Sequence, residues 1–271
     1  MNQRDCSFSM RFSELRLFLV STAVFASIFT LSSLSWNLFC RLAILSCRDG
    51  DVWHEKRSAG RKAHPVIADA GGFFLPSGQT KKVQAPSSWT GRFWARTGCN
   101  FSSGSTPSCQ TGDCLGLLSC NGTIGSPPAT LIEVSIQENS SNPSFYDVSL
   151  VDGYNLPVSV STWPANPKCS IAGCTGSVND ACPQELQVLD QKGDVAACKS
   201  ACLAFGHDAF CCRGTYGSPR TCKPTVYSKL FKQACPSYFS FAYDAPAPIV
   251  SCSSKNFVIN FCPSESHPFV M

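Results

Sequence analysis

Eighteen cysteines in 271 residues constrain this chain more than any other feature. Eight of them lie between Cys169 and Cys222, a stretch that cannot bury enough apolar surface to hold itself together and has to be stapled. Thiols at this density point to a disulfide-forming compartment rather than a reducing cytosol. Zinc is the competing use of cysteine. The four histidines (His54, His64, His207, His267) are scattered and there are no paired CxxC modules, so the ligand spacing is absent; neither a metal nor any other cofactor is expected. Charged residues make up 15% of the chain, against roughly 25% in typical soluble domains. With 44% apolar and 11% aromatic residues, the composition is nonetheless that of a packed core.

The net charge of +4 is local. Residues 1–65 hold nine Lys and Arg against five Asp and Glu, and residues 66–271 hold thirteen of each. A nucleic-acid partner is therefore not expected. Arg4, Arg11 and Arg16 precede an uncharged run from Leu17 to Cys40. A basic start followed by an apolar stretch reads as a secretory signal over residues 1–46, with cleavage after Ala26 and Val24 at the position three back. The run also has the length of a bilayer span, so an uncleaved signal-anchor with its basic end inside is the alternative. On either reading the cysteine-rich part lies outside the cytosol, and a membrane partner is expected only if this segment stays uncleaved.

Residues 47–70 are expected to be irregular, since Cys47 to Pro65 is charged and lacks strand alternation. From Phe73 onward short β-like runs alternate with Gly, Pro, Ser and Asn. Leu131 to Gln137 puts Ile132, Val134 and Ile136 on one strand face and Glu133, Ser135 and Gln137 on the other. Phe145 to Val151 follows, ending in the turn-like Asp152-Gly153, and Tyr154 to Val160 continues it. The fold class expected is mainly β: an antiparallel β-sandwich or flattened barrel over residues 71–168 and 236–263. Residues 169–235 form a disulfide-rich, partly helical second unit, and 264–271 a tail. Within that unit, Asp194 to Phe205 and Thr225 to Ala234 are helix candidates. The second carries Tyr227, Leu230, Phe231 and Ala234 as an apolar stripe.

The segment Cys109-Gln110-Thr111-Gly112-Asp113-Cys114-Leu115-Gly116-Leu117-Leu118-Ser119-Cys120 resembles the signature of the thaumatin-like proteins, plant defence proteins of pathogenesis-related group five. Further matching text is Ala85-Pro86-Ser87-Ser88-Trp89, Gly91-Arg92-Phe93-Trp94-Ala95-Arg96-Thr97, Thr130-Leu131-Ile132-Glu133, Val151 to Val158, Cys211-Cys212 and Asn260-Phe261-Cys262-Pro263. The resemblance runs from about Gly71 to Pro263. It implies eight bridges: Cys47–Cys262, Cys99–Cys109, Cys114–Cys120, Cys169–Cys252, Cys174–Cys235, Cys182–Cys198, Cys202–Cys211 and Cys212–Cys222. Spacing alone cannot select this connectivity. Cys6 and Cys40 are left over. Two features depart from the family pattern: His54-Glu55-Lys56-Arg57 replaces a smooth loop, and Ser105 stands where a glycine is expected. The opening strand, matched by Arg41 to Cys47, is the weakest part of the likeness.

The resemblance also implies a cleft lined by Arg92, Glu133, Asp147, Asp152 and Asp244. Clustered carboxylates disfavour one another's charge unless solvated or put to use. Two uses follow: a polar cleft for the hydroxyls of β-1,3-glucan in microbial walls, or glycoside hydrolysis with Glu133 as acid and Asp152 or Asp147 as partner. A third reading is inhibition of a foreign hydrolase. Secretion to the extracellular space, antifungal action and a monomeric state complete the expectation. Asn100, Asn121 and Asn139 lie in N-x-S/T sequons and are expected glycan acceptors. No GxSxG, P-loop or dinucleotide fingerprint is present.

Overall fold

Alternation of apolar and polar residues writes most of the strands, and glycine, proline and serine punctuate them. The computed structural model describes residues 39–45, 50–56, 71–86, 88–101, 106–120, 122–137 and 142–263. Strands in chain order are β1 (Phe39–Leu45), β2 (Gly50–Lys56), β3 (Gly72–Leu75), β4 (Thr80–Pro86), β5 (Trp89–Arg96) and β6 (Leu131–Ile136). They continue as β7 (Ser144–Ser149), β8 (Val158–Thr162), β9 (Gln187–Leu189), β10 (Val195–Cys198), β11 (Val250–Cys252) and β12 (Asn256–Phe261). Helices are α1 (Ala201–Phe205), α2 (Asp208–Cys211) and α3 (Val226–Ala234).

One sheet has four strands in the order β4-β1-β12-β8; a second has six, β11-β7-β6-β5-β2-β3. All pairs are antiparallel except β1 with β12, which is parallel. Phe93, Ile132, Val134, Tyr146 and Val148 of the larger sheet join Val83, Val160, Phe257 and Ile259 of the smaller in one buried cluster. This is the core of a sandwich, and its apolar burial supplies the main driving force for folding. The alternation in β6 places Ile132, Val134 and Ile136 in that core, with Glu133 and Ser135 half-buried on the opposite face. The mainly β architecture agrees with the class expected.

The N-terminal part differs from the expected boundaries. Residues 39–45, assigned above to a signal segment, form β1 between β4 and β12. Residues 50–56, expected to be irregular, form β2 between β3 and β5. Backbone pairing on both edges makes a strand of charged text that has no alternation of its own, because strand propensity yields to tertiary context. The signal run before Phe39, the side chains of Cys6, Cys40 and Cys47, and with them the Cys47–Cys262 bridge, lie outside the described residues. So do the sequon asparagines Asn121 and Asn139. Among the described residues no helix is long and apolar enough to cross a membrane.

Residues 169–235 hold the helices and four of the seven described bridges. The helix expected over Asp194 to Phe205 divides instead. Asp190 accepts from the backbone amides of Lys192 (2.8 Å) and Asp194 (2.9 Å), closing a tight turn that pairs β10 with β9. The helix begins only at α1, where the Ser200 hydroxyl accepts from Leu203 N. The short apolar run Val195–Cys198 carries no periodicity that separates strand from helix. The Thr225–Ala234 candidate forms α3, with Thr225 as its cap in a reciprocal capping box with Ser228. Its Phe231 is buried, and Tyr227, Leu230 and Ala234 pack against the same core. The bridges are Cys99–Cys109, Cys114–Cys120, Cys169–Cys252, Cys174–Cys235, Cys182–Cys198, Cys202–Cys211 and Cys212–Cys222.

Candidate functional site

Strand register brings three of the five candidate residues into one row. Arg92 of β5 lies directly opposite Glu133 of β6, and Glu133 directly opposite Asp147 of β7. Directly opposed residues share a face, and the alternation of β6 directs this one away from the sandwich core. The Arg92 Nε donates to Glu133 Oε1 at 2.8 Å, with both side chains partly in solvent. Asp147, half-buried, completes the row on the far side of Glu133.

A covered zone bounds the row at one end. Two residues along from Arg92 and Glu133, Trp94 and Leu131 point to the same face but are buried, with Cys114, Cys120 and Ala129. The loop over them is fixed from below. Trp94 Nε1 donates to Gly112 O at 2.9 Å, and the fully buried Arg96 guanidinium donates to Leu117 O (2.7 Å) and Leu118 O (3.3 Å). Asp113 accepts from the amides of Cys109 and Gly116. Thus the motif that carries the resemblance caps the sheet beside the charged row, and Asp113 serves that cap.

Asp152 stands beyond the end of β7, in the turn that leads to β8 and packs against the disulfide-rich segment at Cys198. Gly153 N donates to Leu150 O at 2.9 Å, and Gly153 has φ +94°, a conformation glycine adopts readily. A Cβ there would meet Cys198 O at 2.8 Å and Pro128 Cβ at 2.5 Å, and the next residue, Tyr154, pairs with Cys198. The neighbouring Val151 lines a small pocket of about 50 Å3 at this junction, together with Ser200, Ala201, Phe231 and Phe241.

Asp244 is placed differently. It is buried, and its Oδ2 accepts from Ser240 N and Oγ, both at 2.9 Å, and pairs with Lys232 Nζ at 3.1 Å. Its carboxylate therefore pins the 240–244 loop to α3. That loop follows Phe239, which bonds the outer edge of β7 through Val148 O and Leu150 N. Asp244 thus sets the neighbourhood of the row through backbone.

Two residues that the sequence did not place there, Thr90 and Phe145, share the exposed face with Ser135. Thr90 and Ser135 are opposed and bonded through their hydroxyls at 3.1 Å, and Ser135 is opposed to the exposed Phe145. The signal was available in the period of two that sets Phe145 beside Asp147 and Ser135 beside Glu133.

Comparison with known proteins identifies the family of the chain. The sequence model of the Thaumatin family matches residues 47–263. A thaumatin-like protein of Arabidopsis thaliana is 50% identical over 198 residues, covering 73% of this chain and 80% of that protein. Pathogenesis-related protein 5 of the same plant is 48% identical over 199 residues, covering 73% and 81%. Among solved structures, a glycoside hydrolase family 64 β-1,3-glucanase from Paenibacillus barengoltzii, complexed with laminarihexaose, superposes with a TM-score of 0.52 at 10% identity. The match covers 83% of this chain and 75% of that one, and at such identity it speaks to the fold alone. The chain belongs to the thaumatin family.

Proposed function

We propose that this protein is an exported defence protein that binds β-1,3-glucan of microbial walls and restrains fungal growth by doing so. The observation that carries the reading is the Arg92–Glu133–Asp147 row, an outward-facing line of one guanidinium and two carboxylates across three adjacent strands. Neutral sugars present hydroxyls that both donate and accept, and such a row offers partners for both. Asp152 extends the acidic edge at the junction turn, and Asp244 holds the adjoining loop. Co-sedimentation with insoluble β-1,3-glucan tests the reading, with Glu133→Gln expected to lose binding. Asp152→Asn binding as well as the parent would remove that residue from the site. Export is tested by N-terminal sequencing and intact mass of the secreted protein.

Weak endo-β-1,3-glucanase activity is the second reading. It draws on the direct opposition of Glu133 and Asp147, whose Cβ atoms are roughly 4.5–5.5 Å apart in such a pair. Retaining glycosidases hold their carboxyl groups roughly 5–5.5 Å apart. Against it, Glu133 Oε1 already accepts the Arg92 proton, whereas a general acid must present its own proton to the glycosidic oxygen. Reducing-sugar release from soluble glucan between about pH 4 and 7, abolished by Glu133→Gln, is the assay. Inhibition of a foreign hydrolase that survives replacement of both Glu133 and Asp152 would instead identify a protein partner.

A further inference from the structure

Phe145 is 42% exposed on β7, the strand next to the β11 edge of a six-stranded sheet whose other large aromatics on β5 and β7, Trp89, Phe93, Trp94 and Tyr146, are all buried. It leaves the core by register and not by fraying. Tyr146 and Val148 alternate into the sandwich, so Phe145 and Asp147 project together on the opposite face. Its flanks are hydroxyls: Ser135 stands opposite on β6 and Ser251 opposite on β11. The row continues from Ser135 to Thr90 at 3.1 Å, and Gln137 Nε2 donates to Ser135 Oγ at 3.1 Å. The charged row Arg92–Glu133–Asp147 lies two residues along these strands, a step of about 7 Å.

We propose that Phe145 and the hydroxyl ladder Thr90–Ser135–Gln137 form a second subsite. The flat ring of Phe145 stacks on the C–H face of one pyranose unit while the neighbouring unit is held by the charged row. A partly exposed aromatic ring flanked by small hydroxyl side chains matches the chemistry of a sugar ring. The sugar has an apolar face and a rim of hydroxyls. The absence of any charge among Thr90, Ser135, Gln137, Phe145 and Ser251 favours a neutral saccharide over an ionic partner. This subsite rests on the glucan reading of the charged row, and it fixes the direction of the bound chain: along β5 and β7, from Asp147 toward Phe145.

The test is titration calorimetry of wild type, Phe145→Tyr, Phe145→Leu, Phe145→Ala and Glu133→Gln against β-1,3-glucan, xylan and chitin hexasaccharides. The Leu variant keeps apolar bulk and loses the flat face, so a merely structural role would leave it near wild type. Binding of the β-1,3-glucan hexamer is expected to weaken about tenfold in the Leu and Ala variants and to stay within about threefold in the Tyr variant. Upfield shifts of sugar C–H protons in the wild-type complex provide a readout that needs no variant. Glucan binding undiminished in Phe145→Leu and Phe145→Ala, or no ring-current shift, overturns the subsite while leaving the charged row in place. A Phe145-dependent affinity for xylan or chitin alone supports the subsite and overturns the glucan reading. No binding of any hexamer overturns both.

Discussion

Arg92 Nε lies 2.8 Å from Glu133 Oε1 across neighbouring strands, and the two side chains keep 20% and 25% of their surface in solvent. An ion pair with that much water around it adds little to stability, commonly below about 1 kcal/mol. Arg92→Ala is expected to leave the urea midpoint almost unchanged and to lower glucan affinity by about tenfold or more. Arg92→Lys is expected to fall between, since a lysine cannot reproduce the planar guanidinium. A large loss of stability without loss of binding would make the pair structural.

Asp244 makes the opposite prediction. Its carboxylate is buried and satisfies three donors, so Asp244→Ala removes the acceptor of the Ser240 amide and hydroxyl and the countercharge of Lys232, which keeps its bond to Tyr238 O. The expected cost is about 3 kcal/mol by equilibrium denaturation, because a partly buried charge loses its partner. Asp244→Asn retains an acceptor oxygen and is expected to cost less. Glucan binding by the folded fraction should change less than in Glu133→Gln.

Gly153→Ala places a Cβ within 2.8 Å of Cys198 O at a φ of +94°. Backbone and disulfide hold both sides of that contact, so the turn has little freedom to yield. A loss of at least about 2 kcal/mol is expected by denaturation. Because the same turn presents Asp152, saccharide affinity should fall with it.

Removing Cys169–Cys252, which closes a separation of 83 residues, is expected to destabilise more than removing Cys202–Cys211, which closes 9. The chain-entropy account gives about 4–5 kcal/mol for the long loop and under about 3 for the short one. Paired Cys→Ser variants compared by denaturation check the order.

Three of the six tyrosines, Tyr146, Tyr154 and Tyr238, are buried, and desolvation raises each well above the ordinary phenol value of 10.0. The Tyr146 hydroxyl donates to Cys169 O and that of Tyr238 to Val158 O. The folded state holds these protons more tightly than the unfolded chain does. Their contribution to stability is therefore fully present below about pH 10 and is lost as pH rises beyond it. Absorbance titration at alkaline pH should show these three ionising together with unfolding. Their ionisation in a folded chain near pH 10 would contradict the burial.

The sandwich was legible where side chains alternate, as in Leu131 to Gln137, and α3 was legible from its stripe and cap. The strand Gly50–Lys56 was not, because its order comes from two neighbours and not from its own text. Glu133 could be read as outward-facing from alternation alone. Its opposition to both Arg92 and Asp147 is a matter of register, and the pairing with Arg92 joins strands whose facing residues are 41 apart in sequence. Asp244 followed from family resemblance as a cleft residue, yet its burial against Lys232 could only be seen once α3 was packed. Phe145 was hidden for a simpler reason. An aromatic residue in a strand reads as core, and only the register of β7 turns this one outward.

The position of β12 has a consequence for how a cell makes this protein. Residues 256–261 lie between β1 and β8 in the four-stranded sheet, pairing with both. A chain emerging from the ribosome or a translocon holds β1 and β8 long before the strand that separates them exists, and Cys169 waits 83 residues for Cys252. The small loops at Cys99–Cys109 and Cys114–Cys120 can oxidise as they appear, but the four-stranded sheet closes only after Phe261 has emerged. Truncation anywhere before Phe261 should therefore yield a degraded product rather than a shortened, folded one.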